Sequence, residues 1–193
     1  MTSLRQLETH QGLATWFSSI IKDCVQDIVG VQFRNGATLG GSLYSRFGFS
    51  DILTAFSVLP CEVVLYHGGR MDIKDFAKAG YERDIVTHII LHKEKHPSAF
   101  TCVRKSATDL PVLNMAAARY EDHWEIAVGS RPQKAMTYTW PLDMPILSIA
   151  NEMEANVEVG DNMRGSAEYR KKLVSACALR LLTTLSEEEK TCR

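Results

Sequence analysis

Four strand-like runs crowd the second half of the chain: "IVTHIIL" at 85–91, "AFTCVRK" at 99–105, "VLNMAAARY" at 112–120 and "WEIAVGS" at 124–130. Each combines β-branched, aromatic or small apolar residues and is bounded by polar or turn residues. Glu121-Asp122-His123 makes the tip of a hairpin between the last two. Strands joined this closely pair antiparallel, because parallel neighbours need a crossover of a dozen or more residues. Helical patterns lie on both sides of this block. The expectation is therefore an α+β protein, in which a small mixed unit precedes an antiparallel sheet packed with helices.

In the first unit, Ser3 and Gln6 form a capping box for a short opening helix. Leu13, Trp16, Phe17, Ile20, Ile21, Cys24, Val25 and Ile28 recur at helical spacing. They predict one helix from about Gly12 to Ile28, ended by Gly30. Asp51 reads as the N-cap of a short helix, "ILTAFSVL", that stops before Pro60. "EVVLYHGGRMDI" reads as a hairpin turning at Gly68-Gly69 with a primed turn. "KDFAKAGYERD" is a polar connector, so the division is placed at 1–78 and 79–193. From "PLDMPILSIANEME" the pattern turns helical, and Gly165-Ser166 opens a last helix with Tyr169, Leu173, Cys177, Leu181 and Leu185 on one face. The tail "SEEEKTCR" is expected to fray.

Several function classes drop out. Net charge is -1, and no basic stripe marks a nucleic-acid footprint. Arg170-Lys171-Lys172 reads as the solvated face of a helix. No apolar run approaches the roughly 20 residues of a membrane span, and "MTSLRQLETHQ" has no apolar signal-peptide core. A cytoplasmic location follows as an expectation. Cys24, Cys61, Cys102, Cys177 and Cys192 are scattered, which fits reduced thiols better than a metal or disulfide framework. His88, His92 and His96 stand four apart, but on a strand that spacing spans roughly 13 Å, too far for one metal. No serine sits in a G-x-S-x-G elbow, and no pair of carboxylates stands out. Hard chemistry would have to come from a cofactor.

"GATLGG", residues 36–41, is the segment that suggests one. Adjacent glycines most often mean a turn. They also let backbone N–H groups approach a pyrophosphate, a threonine hydroxyl adds a donor, and the carboxylate of Asp51 follows. The pattern is not the G-x-G-x-x-G of a dinucleotide-binding βαβ unit.

"GVQFRNGATLGGSLYSRFGFSD" resembles the second flavin-binding segment in the FAD subunits of the xanthine dehydrogenase family of molybdenum hydroxylases. "DLPVLNMAAARY" with "WEIAVGSRPQKA", and "DNMRGSAEYRKKL" after them, resemble the C-terminal flavoprotein domain of the same subunits, of the CO dehydrogenase type. The resemblance implies FAD as cofactor, with molybdopterin-binding and [2Fe–2S] subunits as partners and NAD as electron acceptor. By position it implies phosphate-loop roles for Thr38, Leu39, Gly40 and Gly41. Ser42 stands where the family usually has Asn, and Asp51 at the adenosine side. Ile28 and Ile85 match apolar positions near the cofactor, Ile85 beside the flavin. Thr101 stands where some relatives place a lysine, and "SRFGF" is bulkier than usual.

The family also carries an earlier A-G-G-x-[DNS] loop, which does not occur in these 193 residues. The expectations are weak or absent FAD binding and an exposed apolar face on the 12–28 helix. Gly40 and Gly41 are expected to turn their N–H groups outward. The alternative is a non-catalytic docking or assembly subunit that has lost FAD.

Overall fold

The structure is a computed structural model that describes residues 1–187 in full and the backbone of 188–191. Short helices build the first unit: α1 (Leu4–Thr9), α2 (Gln11–Phe17), α3 (Ile20–Gln26), α4 (Val31–Gly36), α5 (Leu39–Tyr44) and α6 (Asp51–Phe56). The Ser3 cap of α1 is closed from both sides: Gln6 N–H donates to Ser3 Oγ at 3.2 Å and Ser3 N–H to Gln6 Oε1 at 2.8 Å. The helix expected over 12–28 is two helices. Ser18 takes φ 51° and breaks it, so that α3 packs on α1 and α6 while α2 touches α3. The periodicity nevertheless marked the right residues, since Phe17, Ile20, Ile21, Cys24 and Val25 are buried. That face is therefore not exposed. Gly30 is the N-cap of α4 rather than a helix end.

After α6 come β1 (Cys61–Leu65) and β2 (Gly69–Asp72), the expected hairpin, with Leu65 paired to Gly69. Gly68 and Gly69 do not form a primed turn together, because Gly69 alone takes a positive φ, 70°. The Asp84 carboxylate accepts from the N–H groups of His67 and Gly68 and holds the loop. α7 (Ile73–Lys78) then occupies the expected polar connector, and its Ile73, Phe76 and Ala77 are buried.

The strand runs divide between two sheets. β3 (Val86–Leu91) pairs with β1, which gives a three-stranded sheet in the order β2-β1-β3 that crosses the division expected at residue 78. β4 (Ser98–Val103), β5 (Leu113–Arg119), β6 (His123–Gly129) and β7 (Met136–Pro141) form an antiparallel meander. β7 was not foreseen, although "MTYTW" carries β-favouring residues.

β5 is buried on both faces. Leu113, Met115 and Ala117 meet α8 (Ile146–Asn156) and α9 (Ala167–Thr191), whereas Ala116 and Ala118 face the first unit. Alanines on that face let α6, every residue of which is buried, lie close against the sheet. On α9, Leu173, Cys177, Leu181 and Leu185 pack inward as expected, but Tyr169 is exposed.

Arg170 overturns the reading of a solvated basic face, since it is fully buried. Its guanidinium donates to the carbonyls of Val112, Gly160 and Gly165 and to Asn162 Oδ1. Lys171 and Lys172 do face solvent. The expected fraying concerns residues 186–193, of which 192 and 193, including Cys192, lie outside the described residues.

Candidate flavin site

α5 is the pivot of the site. Thr38 is its N-cap, and the Gly41 N–H donates to Thr38 Oγ at 3.2 Å. A Cβ at Gly41 would stand 3.1 Å from that same oxygen, so a side chain there would have to shift the capping contact by a few tenths of an ångström. The expectation that both glycine N–H groups stay unpaired therefore fails at Gly41. At Gly40 it holds: no acceptor among the described residues takes its N–H. A Cβ at Gly40 would meet nothing closer than Val86, at 3.8 Å.

Two cavities flank this turn. The first, about 420 Å³, is lined by Ile28, Thr38, Gly41, Ser42 and Asp51, with Phe33, Phe47, Phe49 and Leu110 as apolar wall. The second, about 510 Å³, is lined by Thr38, Leu39, Gly40, Gly41, Tyr44 and Ile85. Thr38 and Gly41 belong to both. Each volume falls within the range of small-molecule sites, ~300–1,000 Å³. All eight residues singled out in the sequence thus lie on one or the other cavity, with Ile85 on the second and Asp51 on the first. Thr101, in β4, lines neither.

Asp51 is placed differently from the expectation. Ser50, not Asp51, caps α6. The Asp51 carboxylate is 4% exposed. One oxygen accepts from Asn114 Nδ2 at 2.6 Å and the other pairs with the Arg104 guanidinium. Asn114 Oδ1 in turn accepts from Thr54 Oγ at 3.1 Å. Burial pushes the Asp51 carboxyl up, and the Arg104 charge and the Asn114 amide oppose it. Arg104 also donates to the Asp109 carbonyl at 2.6 Å, while its buried Nε has no partner. Arg104 lines the first cavity and was missed, because a lone arginine after a strand carries no motif.

The wall of the first cavity is largely apolar. Phe47 and Phe49 stack with centroids 5.0 Å apart and planes 13° from parallel. Like Val29 and Phe33, both are large apolar side chains left exposed. The apolar surface expected on the 12–28 helix therefore lies here instead. At the second cavity, Asp84 accepts from the Ile85 N–H at 2.7 Å as well as from the β1–β2 loop, and Ile85 stays exposed. This anchor too was not foreseen. Among the described residues no cluster of three His, Cys, Asp or Glu could hold a metal ion. No described helix is long and apolar enough to cross a membrane.

Solved structures share this fold over almost the whole chain. Quinoline 2-oxidoreductase from Pseudomonas putida 86 superposes with a TM-score of 0.83 at 16% identity, covering 97% of this chain and 73% of that one. The carbon monoxide dehydrogenase of Hydrogenophaga pseudoflava, in a form lacking the Mo-pyranopterin moiety, gives 0.81 at 16%, with 95% and 72% covered. Reconstituted CO dehydrogenase from Oligotropha carboxidovorans gives 0.81 at 19%, again with 95% and 72% covered. No curated protein matches at the level of sequence. The chain therefore shares its fold with chains of these oxidoreductases. Residues 1–93 match the family described as "FAD binding domain in molybdopterin dehydrogenase".

Proposed function

We propose that the chain holds FAD across the two cavities that flank the Thr38–Gly41 turn, as the flavin subunit of a molybdenum hydroxylase-like complex. The carrying observation is that Thr38 and Gly41 line both cavities at once, so one elongated ligand laid over α5 would touch both. The residues present fit the cofactor: a free N–H at Gly40, open space beside it, a hydroxyl at Thr38 and apolar walls at both ends. FAD would supply hydride and single-electron chemistry between partner centres. The chain's own residues do the rest. Gly40 offers its N–H, and Thr38 and Ser42 their hydroxyls, to phosphate oxygens, while Leu39 and Gly41 shape the turn that presents them. Ile28 and Ile85 exclude water at opposite ends. Asp51 holds Arg104 in the wall of the first cavity.

In this reading the complete assembly passes electrons from a [2Fe–2S] subunit to NAD, while a molybdopterin-binding subunit oxidises the substrate. We place the division of the chain between β3 and β4, close to residue 93, where the family match also ends. Flavin binding by the chain alone is weak, because the apolar wall of Phe33, Phe47 and Phe49 leaves the first cavity open to water on one side. A docking subunit without flavin is the second reading, favoured by the Gly41 N–H being already satisfied inside the protein.

The test is FAD titration of the chain, followed by flavin fluorescence, for wild type and Gly40→Val. The added side chain has room in the free protein but covers the one open amide. Removing a hydrogen bond to a charged group costs about 1.5–3 kcal/mol, so affinity should fall roughly 10- to 100-fold. Equal flavin binding by both proteins, or none by either, refutes the flavin reading.

A further inference from the structure

We propose a third binding site, next to the first flavin cavity and sharing Phe49 and Leu110 with it, that takes a small phosphomonoester carrying a flat ring. It is a cavity of about 340 Å³ between the β6–β7 loop and the turn before α9. Its polar lining is Ser130, Gln133, Lys134, Asn162 and Arg164, and among the described residues no carboxylate lines it. The two cations are poorly neutralised. Among the described residues, Lys134 Nζ hydrogen-bonds only the Ala79 carbonyl, at 3.0 Å. Arg164 reaches one carboxylate oxygen, of Asp109, at a long 3.4 Å, and its buried Nε has no partner.

Ser130 is the second, independent sign. It is 6% exposed, and its buried hydroxyl finds no acceptor or donor in the protein. A buried polar group without a partner is costly, so a hydroxyl kept in this condition at a cavity wall points to an absent ligand atom. Ser130 also sits at φ 57°, a left-handed conformation that non-glycine residues seldom adopt and that gathers at binding sites. Asn162 adds a donor: its Oδ1 accepts from Arg164 N–H and from Arg170, which leaves its amide NH₂ for a ligand oxygen.

The remaining wall supplies the ring's partner. Phe49 and Leu110 line this cavity as well as the first flavin cavity. A phosphate between Lys134, Arg164 and Ser130 would therefore carry its organic group onto Phe49. The volume lies at the small end of ligand sites, ~300–1,000 Å³, and suits a ring with one phosphate rather than a dinucleotide.

The test is calorimetric titration of the full chain with phenyl phosphate, inorganic phosphate and uncharged benzyl alcohol. One saturable site is expected, with phenyl phosphate tighter than phosphate and no binding of the alcohol. Lys134→Met and Ser130→Ala should each weaken phenyl phosphate about tenfold, and Thr38→Val should leave it unchanged. Without ligand, Ser130→Ala should melt at the same temperature as the wild type or higher, because it removes an unsatisfied hydroxyl. Absence of saturable binding overturns the site, as does equal affinity for the two phosphates. So does a loss in Thr38→Val that Lys134→Met does not share, or a lowered melting temperature for ligand-free Ser130→Ala.

Discussion

Replacing Asp51 by alanine should destabilise the whole molecule and not only its ligand site. The carboxylate joins α6 to two elements of the second sheet, through Arg104 after β4 and Asn114 on β5. Side-chain exposure is 4% for Asp51 and 10% for Arg104, so solvent screens little of the pair. Truncation leaves the guanidinium with the Asp109 carbonyl alone, and it leaves the Asn114 amide nitrogen without its acceptor. Removing one partner of a buried ion pair costs about 3–5 kcal/mol. For a domain of this size, that lowers the unfolding midpoint by about 6–20 °C. Urea unfolding followed by circular dichroism measures the loss directly. The double variant Asp51→Leu, Arg104→Met should recover at least half of it, because two apolar groups replace the pair and no charge stays buried. A single-variant loss below about 1 kcal/mol would sink the argument, since that is the size of an exposed pair.

Gly129→Ala tests the same network sterically: the new Cβ would fall 2.2 Å from both Asn114 Oδ1 and Thr54 Oγ. The strands or the two side chains must move apart, at about 1–3 kcal/mol, again read by urea unfolding. Glu8 gives the pH dependence. Burial pushes its carboxyl up, but Arg34 and Arg5 outweigh that and hold it below its ordinary 4.5. A lowered folded-state value means stability that is present above pH 4.5 and lost as pH falls through the folded value. Glu8→Gln should therefore be less stable at pH 7 and lose less on acidification, by unfolding curves at pH 7 and pH 3.

Local rules carried the sequence reading where one residue's chemistry decided the outcome. The Ser3–Gln6 cap, the β1–β2 hairpin and the strand runs of β3 to β6 were legible because capping and β-propensity act over a few residues. Partnership was not legible. β3 left its expected sheet because the hairpin needed a third strand, and no local signal encodes that choice. The Ser18 break was hidden because the apolar positions keep a helical spacing on both sides of it. Arg170 looked like a surface cation beside two lysines, yet the turn at 160–165 presents carbonyls that only a buried donor fork can satisfy. For the site, the glycine loop and its flanks were readable as residue types. Arg104 and Asp84 become visible only when the chain is folded, since each acts through neighbours distant in sequence, and the stacking of Phe47 on Phe49 depends on how the loop between α5 and α6 folds.

The six residues of α6 belong to both halves of the molecule. Ile52, Leu53, Ala55 and Phe56 complete the core of the first unit, while Ala116, Ala118 and Ala127 of the sheet close over the same cluster. The chain consequently has no seam along which it could come apart in stages. Lifting the sheet away would bare the centre of the first core, so neither part gains by opening alone. Amide protons of α6 and β5 should then exchange together, at the rate set by global unfolding rather than by any local opening.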